Sequence, residues 1–236
     1  MDKKFVRTAA LFGQKEIENL SNCRVAIFGV GGVGSYTAEA LCRSGIGTLD
    51  IFDNDTVCLS NINRQLIATE KTVGMQKTDA AEKRLKEINS DIKINKHNIF
   101  YLPETANEID LSVYDYIVDA VDTVAAKLEL ACRAEKLNIP LISIMGTGNK
   151  TDPTMLKVSD IYKTQECPLA RVMRTNLKKR GVKKLLCVWS PEKPVTPNAC
   201  AEIKLNGRPA PSSSAFVPGT AGLIAASQVI KYLVNK

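Results

Sequence analysis

Residues 25–34 read VAIFGVGGVG, an apolar run that breaks into glycines. Val25–Phe28 has no polar alternation, which is the pattern of a strand buried on both faces. Gly29, Gly31 and Gly34 then fit G-x-G-x-x-G, with Gly32 a further glycine inside the turn. Glycines let the backbone turn tightly and approach a ligand closely. A helix starting there offers unpaired N–H groups and a partial positive charge to a phosphate. This fingerprint addresses only the phosphate, so a nicotinamide dinucleotide and ATP both satisfy it.

Outward from the turn, strands and helices alternate. RVAIFG (24–29) and TLDIFD (48–53) read as strands, and VGSYTAEALCRSG (33–45) between them as a helix closed by Gly45. A second helix runs through KTDAAEKRLKEIN (77–89), with Ala81, Leu85 and Ile88 on one face. YDYIVDAVD (114–122) is a buried strand, AAKLELACRAEKLN (125–138) a helix, and IPLISIMG (139–146) a strand ending in glycine. This order predicts an α/β fold with a doubly wound, mostly parallel sheet and the ligand at the C-terminal strand ends. Past residue 147 prolines, glycines and charges cluster. Residues 191–219 read as a long loop or lid, and the chain ends in a helix from about Gly222. The expectation is one domain, with a nucleotide-binding core over 1–147 and a substrate-binding, lid-like extension over 148–236.

Composition narrows the function. The 236 residues are 44% hydrophobic and 24% charged, ordinary for a globular chain that buries its own core without disulfides or metal. The opening residues carry no signal-peptide pattern. The apolar segment near the C-terminus contains Pro218, Gln228 and Lys231, so it reads as a buried or interface helix, and membrane association is not expected. Seven cysteines with no C-x-x-C pair point to a reducing cytoplasm and away from a paired-cysteine zinc site. The one histidine, His97, lies in an alternating stretch and reads as a solvated surface residue, which argues against histidine-based nucleophilic catalysis. The net charge of +7 is local: residues 163–184 hold eight Lys or Arg and one Glu, which leaves the rest of the chain balanced.

The residues after the glycine turn select the ligand. Asp53 ends the second strand, placed to bond ribose hydroxyls of NAD or of ATP. Asp53, Asp55, Asn61, Asn63, Arg64 and Gln65 then fall within thirteen residues, and Lys77 opens the next helix. Two cations near a phosphate turn supply charge for more than a pyrophosphate. Asp119 and Asp122 end the fourth strand, where a carboxylate can hold Mg²⁺ against phosphates. The ordered set describes nucleotidyl transfer. The plainer alternative is a series of solvated loop charges capping helices.

GVGGVGS (29–35), DNDTVCLSNINRQ (53–65), VGMQK (73–77) and VDAVDTV (118–124) together resemble the ATP-binding core of the ThiF, MoeB and ubiquitin-activating enzyme superfamily. Within it EALCRSGIG (39–47), MGTGNKTDPT (145–154), DIYKT (160–164) and PLARVMR (168–174) resemble the tRNA threonylcarbamoyladenosine dehydratases. The resemblance covers nearly the whole chain. It implies that Asp53 binds ATP ribose, that Asn61, Arg64 and Lys77 hold the triphosphate, and that Asp122 coordinates Mg²⁺. It implies a homodimer in which Arg7 reaches the neighbouring ATP, and it leaves room for a cysteine desulfurase or sulfur-acceptor partner. Cys167 stands where many relatives carry Asp, so that position is not expected to be catalytic. The metal-binding cysteine pairs of ThiF and MoeB are absent, which counts against activation of a sulfur carrier.

The implied substrate is a tRNA bearing threonylcarbamoyladenosine beside the anticodon, with no role for DNA. Hydroxide is a poor leaving group, so closing the threonyl carboxylate into a ring requires an activated acyl, which adenylation by ATP supplies. The basic block suits such a partner. As a helix over 168–180 it places Leu169, Val172, Met173 and Leu177 toward the core and Arg171, Arg174 and Lys178 on another face, where phosphates bind. A solvated charged face is the alternative. Three other functions fit parts of the pattern: an adenylating activator of a ubiquitin-like protein, an NAD-dependent oxidoreductase, and a nucleotide-sensing scaffold without catalysis.

Overall fold

The computed structural model describes residues 2–196, 204–205, 208–209 and 211–236. Its centre is β1 (Arg24–Phe28), paired in parallel with β2 (Thr48–Phe52) on one side and β4 (Tyr116–Asp119) on the other. The sheet continues outward through β3 (Lys93–His97) beyond β2, and through β5 (Leu141–Ile144), β7 (Leu186–Trp189) and β6 (Lys157–Asp160) beyond β4. Every pairing is parallel except the edge strand β6, which runs antiparallel to β7. The doubly wound reading holds, and β7 and β6 extend the same sheet past residue 147. The short strands β8 (Lys204–Leu205) and β9 (Arg208–Pro209) pair with each other. The expected lid falls partly outside the described residues, as does Cys200.

The apolar run of β1 is continuous because both sheet faces are covered. Val25 and Ile27 join one core with α1 (Val6–Phe12), α2 (Gln14–Leu20), α3 (Gly34–Arg43), α4 (Lys77–Ile88) and α7 (Phe216–Val234). Ala26 and Phe28 join the other with α5 (Val124–Leu137) and α6 (Pro168–Lys179). The period of two along the strand makes this division.

Three local expectations need correction. Helix α7 starts at Phe216, six residues earlier than Gly222. Pro218 is tolerated in its first turn, where no intrahelical donor is needed. Gly219 and Gly222 let α7 lie close against α3, since a Cβ at Gly222 would come within 2.4 Å of the Val33 carbonyl oxygen. The helix is long and apolar enough to span a bilayer by length and composition, yet over half of its apolar window is buried in the protein. His97 is half-buried, not a free surface residue: its ring stacks 4.1 Å from Phe52, and Nε2 lies 2.9 Å from the buried Asp50 carboxylate. Arg24 and Asn95 also donate to Asp50, and together these partners hold its carboxyl below the ordinary range although burial pushes it up. Val172 is exposed, and α6 buries only Ala170, Met173 and Leu177.

The strand order reverses between β1 and β4, so no connection covers the gap at their C-terminal ends. A crevice opens there, at the topological switch point where such sheets take ligands.

Candidate functional site

The glycine turn forms one wall of this crevice. Gly29 has φ +88°, and a Cβ on it would lie 2.7 Å from the Ala120 carbonyl oxygen. A Cβ on Gly34 would lie 1.8 Å from the Gly29 carbonyl oxygen. The chain's own packing therefore requires the first and last glycines. At Gly31 the nearest atom to an added Cβ is Gln65 Nε2 at 3.8 Å, and at Gly32 no neighbour comes closer than 3.5 Å. Among the described residues nothing demands glycine at those two positions, whereas a ligand pressed against the backbone would. Helix α3 starts at this turn without a side-chain cap; Ser35 N–H donates to the Gly31 carbonyl at 3.1 Å, and the turn ahead of it presents the helix's positive end to an anion.

The crevice has a volume of about 870 Å³. Gly29, Gly31, Gly32, Asp53, Asp55, Asn61, Arg64, Gln65, Lys77 and Asp122 all line it. Gly34 packs beneath the turn. Arg7 is exposed on α1 and does not line the crevice of its own chain. Arg171, Arg174 and Lys178 also lie outside it, although Pro168 and Leu169 at the start of α6 form part of its wall.

Asp53 is fixed by backbone: Oδ2 accepts from Val30 N–H at 2.8 Å and Oδ1 from Asp55 N–H at 3.0 Å. A carboxylate so held keeps lone pairs toward the crevice, as ribose hydroxyls require. Lys77, the first residue of α4, is buried, and its Nζ pairs with the exposed Asp55 at 2.6 Å and with Asp53 at 3.6 Å. Arg64 is half-buried and uses Nη1 to donate to the Ser60 carbonyl at 2.7 Å and to Asn63 Oδ1 at 3.0 Å, and its other guanidinium donors have no partner among the described residues. Asn61 accepts from Cys58 N–H at 3.1 Å and so shapes the loop that carries Arg64. Gln65 is buried with its Oε1 unpartnered.

The two strand-end aspartates have different fates. Asp119 is fully buried and bonded by Lys127 Nζ at 3.1 Å to each carboxylate oxygen and by Ser143 Oγ at 2.5 Å. It is unavailable to a metal. Lys127 also donates to the Ile144 carbonyl at 2.7 Å, clamping β4 to β5 beside the crevice. The sequence reading missed this lysine, which looks like an ordinary exposed helical residue. Asp122 is exposed, and among the described residues its one hydrogen-bond partner is Thr123 Oγ1 at 3.3 Å. Among the described residues no group of three His, Cys, Asp or Glu could enclose a metal. One accessible carboxylate suits Mg²⁺, which keeps waters and is held jointly by a carboxylate and phosphates.

The far half of the crevice was also missed. Met145–Lys150, Cys167–Leu169, Pro194, Pro211 and Ser213 line it. Lys150 is buried there, with Nζ donating to the Ser190 carbonyl at 2.7 Å and the Glu192 carbonyl at 3.1 Å, and burial lowers its pKa.

A family model, the ThiF family, matches residues 5–236, nearly the whole chain. The chain belongs to the ThiF family. It is 42% identical over 242 residues to a Bacillus subtilis tRNA threonylcarbamoyladenosine dehydratase, covering 98% of this chain and 95% of that protein. This ThiF-family chain is also similar to the crystal structure of the E. coli tRNA N6-threonylcarbamoyladenosine dehydratase TcdA in complex with AMP. The TM-score is 0.90 at 32% identity, covering 99% of this chain and 94% of the other. The same E. coli enzyme in complex with ATP matches with a TM-score of 0.87 at 31% identity, with the same coverage.

Proposed function

We propose that this ThiF-family chain is an ATP-dependent tRNA-modifying enzyme that dehydrates threonylcarbamoyladenosine beside the anticodon to its cyclic form. The observation that carries this reading is the convergence in one crevice of a phosphate-shaped glycine turn, an anchored Asp53, and the cations Arg64 and Lys77. Near full-length similarity to enzymes named for this reaction supports it.

Asp53 binds the ribose, and Gly31, Gly32 and the α3 N-terminus receive the phosphates. Asp55, Asn61 and Gln65 complete the nucleotide wall. The threonyl carboxylate attacks the α-phosphorus and pyrophosphate departs. An internal nucleophile of the substrate then attacks the activated carbonyl, closing the ring as AMP leaves with the carboxylate oxygen. Arg64 and Lys77 neutralise the charge that develops during transfer. Lys77 exchanges Asp55, which solvent can reach, for a phosphate oxygen. Asp122 would hold Mg²⁺, which shields phosphate charge when bound. The protein positions and stabilises charge, and the chemistry asks for no protein nucleophile.

The basic face of α6 binds tRNA phosphates through the exposed Arg171 and Lys178, with the half-buried Arg174, which donates to Thr164 Oγ1, a weaker contact. A homodimer would bring Arg7 of one protomer to the partner's crevice, which accounts for its distance from its own. The cysteine usage fits a cytoplasmic enzyme. A cysteine desulfurase or sulfur-acceptor partner rests on the family resemblance alone.

Mass spectrometry of nucleosides from threonylcarbamoyladenosine-bearing tRNA, after incubation with the protein, ATP and Mg²⁺, tests the reading. The expected result is loss of one water from the modified adenosine with release of AMP and pyrophosphate. Unchanged nucleoside would overturn it. In the same assay, label from ATP transferred to the C-terminus of a ubiquitin-like protein would favour an activating enzyme instead.

A further inference from the structure

The half of the crevice opposite the glycine turn is assembled from segments distant in sequence, and Asn149 is the residue that ties them. Its backbone N–H donates to the Ser212 carbonyl at 2.7 Å, and its carbonyl accepts from Val195 N–H at 2.8 Å. Its side-chain Oδ1 accepts twice from Ser212, from N–H at 2.7 Å and from Oγ at 2.9 Å. Asn149 has φ +58°, a left-handed conformation that Asn and Gly adopt far more readily than other residues. The neighbours continue the seam: Glu192 accepts from Thr151 N–H at 2.8 Å and from Asp152 N–H at 3.2 Å. Asn149, Pro194, Pro211 and Ser213 all line the crevice, so the residues that Asn149 fastens are wall residues. None of these bonds is made by Asp53, Arg64, Lys77 or Asp122 themselves, although the Ser213 carbonyl beside Ser212 accepts from Asn63 Nδ2 at 2.9 Å, and Asn63 in turn accepts from Arg64.

We infer that Asn149 is a positioning residue for the nucleoside being adenylated. It holds the Pro194 and Pro211–Ser213 walls at the separation that seats the modified adenosine against the α-phosphate, and it has no part in holding ATP. This inference rests on the dehydratase reading above. Misplacing an acceptor by about 1 Å can cost a hundredfold in rate, so a seam of two short hydrogen bonds is enough to govern turnover. The expected signature is a loss in kcat/KM for tRNA with ATP affinity unchanged, since the glycine turn and Lys77 stand on other segments and Arg64 is held within its own loop by Ser60 and Asn63, with Asn63 alone reaching across to Ser213.

Two substitutions separate the side chain from the backbone. Asn149→Gly keeps the left-handed conformation and deletes Oδ1. Asn149→Asp keeps an oxygen acceptor for both Ser212 donors. We expect Asn149→Gly to lower kcat/KM for threonylcarbamoyladenosine-bearing tRNA by about tenfold to a hundredfold. Asn149→Asp should restore activity to within a few-fold of the parent. ATP dissociation constants, measured by calorimetry, should match the parent in both variants. If the parent dehydrates the tRNA and Asn149→Gly does so at the parental rate, the inference fails while the assignment of activity stands. Equal loss of ATP binding and turnover in Asn149→Gly would also overturn it, showing a general structural role. If the parent itself leaves the tRNA unchanged, the dehydratase reading fails.

Discussion

The two halves of the crevice are built differently. The nucleotide half rests on residues at the ends of β1, β2 and β4 whose charged groups are held across 24 positions or fewer: Asp53 by Val30 and Asp55, and Lys77 by Asp55 and Asp53, with the Asn63–Ser213 bond joining it to the opposite half. The opposite half is stitched from residues 145–152, 167–169, 190–195 and 211–213, joined by Asn149, Lys150 and Glu192 across 40 or more positions. A phosphate fingerprint gives the first kind of construction a chemical meaning, whereas MGTGNKTDPT (145–154) and PLARVMR (168–174) carry a likeness to relatives without showing which distant segments they meet. On the proposed reading, the nucleotide half holds ATP and the other half seats the nucleoside whose carboxylate is activated.

The sharpest way to break this contrast is at the clamp shared by both halves. Lys127 ties Asp119 on β4 to Ser143 and Ile144 on β5, with both charged partners fully buried. Lys127→Ala leaves a buried carboxylate without its cation, and the expected loss of stability is about 3–5 kcal/mol. Chemical denaturation measures it. A loss below about 1 kcal/mol would mean that the pair does not hold β4 and β5 together.

Next in size is the nucleotide half itself. Arg64→Ala or Lys77→Ala should slow cyclisation by a factor on the order of 10²–10³, the scale of removing a preorganised transition-state donor. Lys77→Ala also leaves Asp53 and Asp55 without their cation, so its ATP affinity should fall as well. Near-parental single-turnover rates in both variants would remove these cations from the chemistry and make the two halves alike.

These residues were legible because glycine spacing and the charges behind it follow local rules. The doubly wound, mostly parallel sheet was legible for the same reason, since continuous apolar strands alternating with helices permit few topologies, whereas β6 and β7 were not read as strands. Asp119 and Asp122 were not separable in sequence: three positions apart, they differ only because Lys127, one turn into α5, folds back onto the first. His97 looked solvated because Asp50, its partner, lies on the neighbouring strand. The start of α7 was misjudged because Pro218, Gly219 and Gly222 read as breakers until α3 is seen packed against them. Asn149 lies in MGTGNKTDPT (145–154), but its role could not be read there, because it depends on Val195 and Ser212 arriving from elsewhere.

A smaller effect is expected at Asp122. Asp122→Asn keeps size and removes charge, so phosphates must hold Mg²⁺ with one fewer anionic ligand. The Mg²⁺ concentration for half-maximal activity should rise by about tenfold, while the rate at saturating Mg²⁺ recovers most of the parental value. A Mg²⁺ titration that superimposes on the parent's would show that Asp122 is no ligand.

The smallest effect on chemistry, and the one that extends the comparison beyond the crevice, concerns α6. This helix starts at the wall of the far half and runs about 18 Å away from it, at 1.5 Å per residue over its twelve residues. A nucleic acid whose modified base occupies that half can therefore lay its backbone along the helix. Arg171 and Lys178 are exposed, while Arg174 is half-buried and donates to Thr164 Oγ1, so it offers less to a phosphate. Replacing all three with Gln should weaken tRNA binding and flatten its log–log salt dependence by roughly 2 units, two full contacts at about 0.7–0.9 each plus a partial third. ATP affinity should not change, because none of the three lines the crevice. The loss should be the same for any tRNA sequence, since phosphate contacts position a nucleic acid without reading its bases. Filter binding across a salt series decides it: an unchanged slope makes α6 a solvated face, and a sequence-dependent loss would move recognition from the phosphates to the bases.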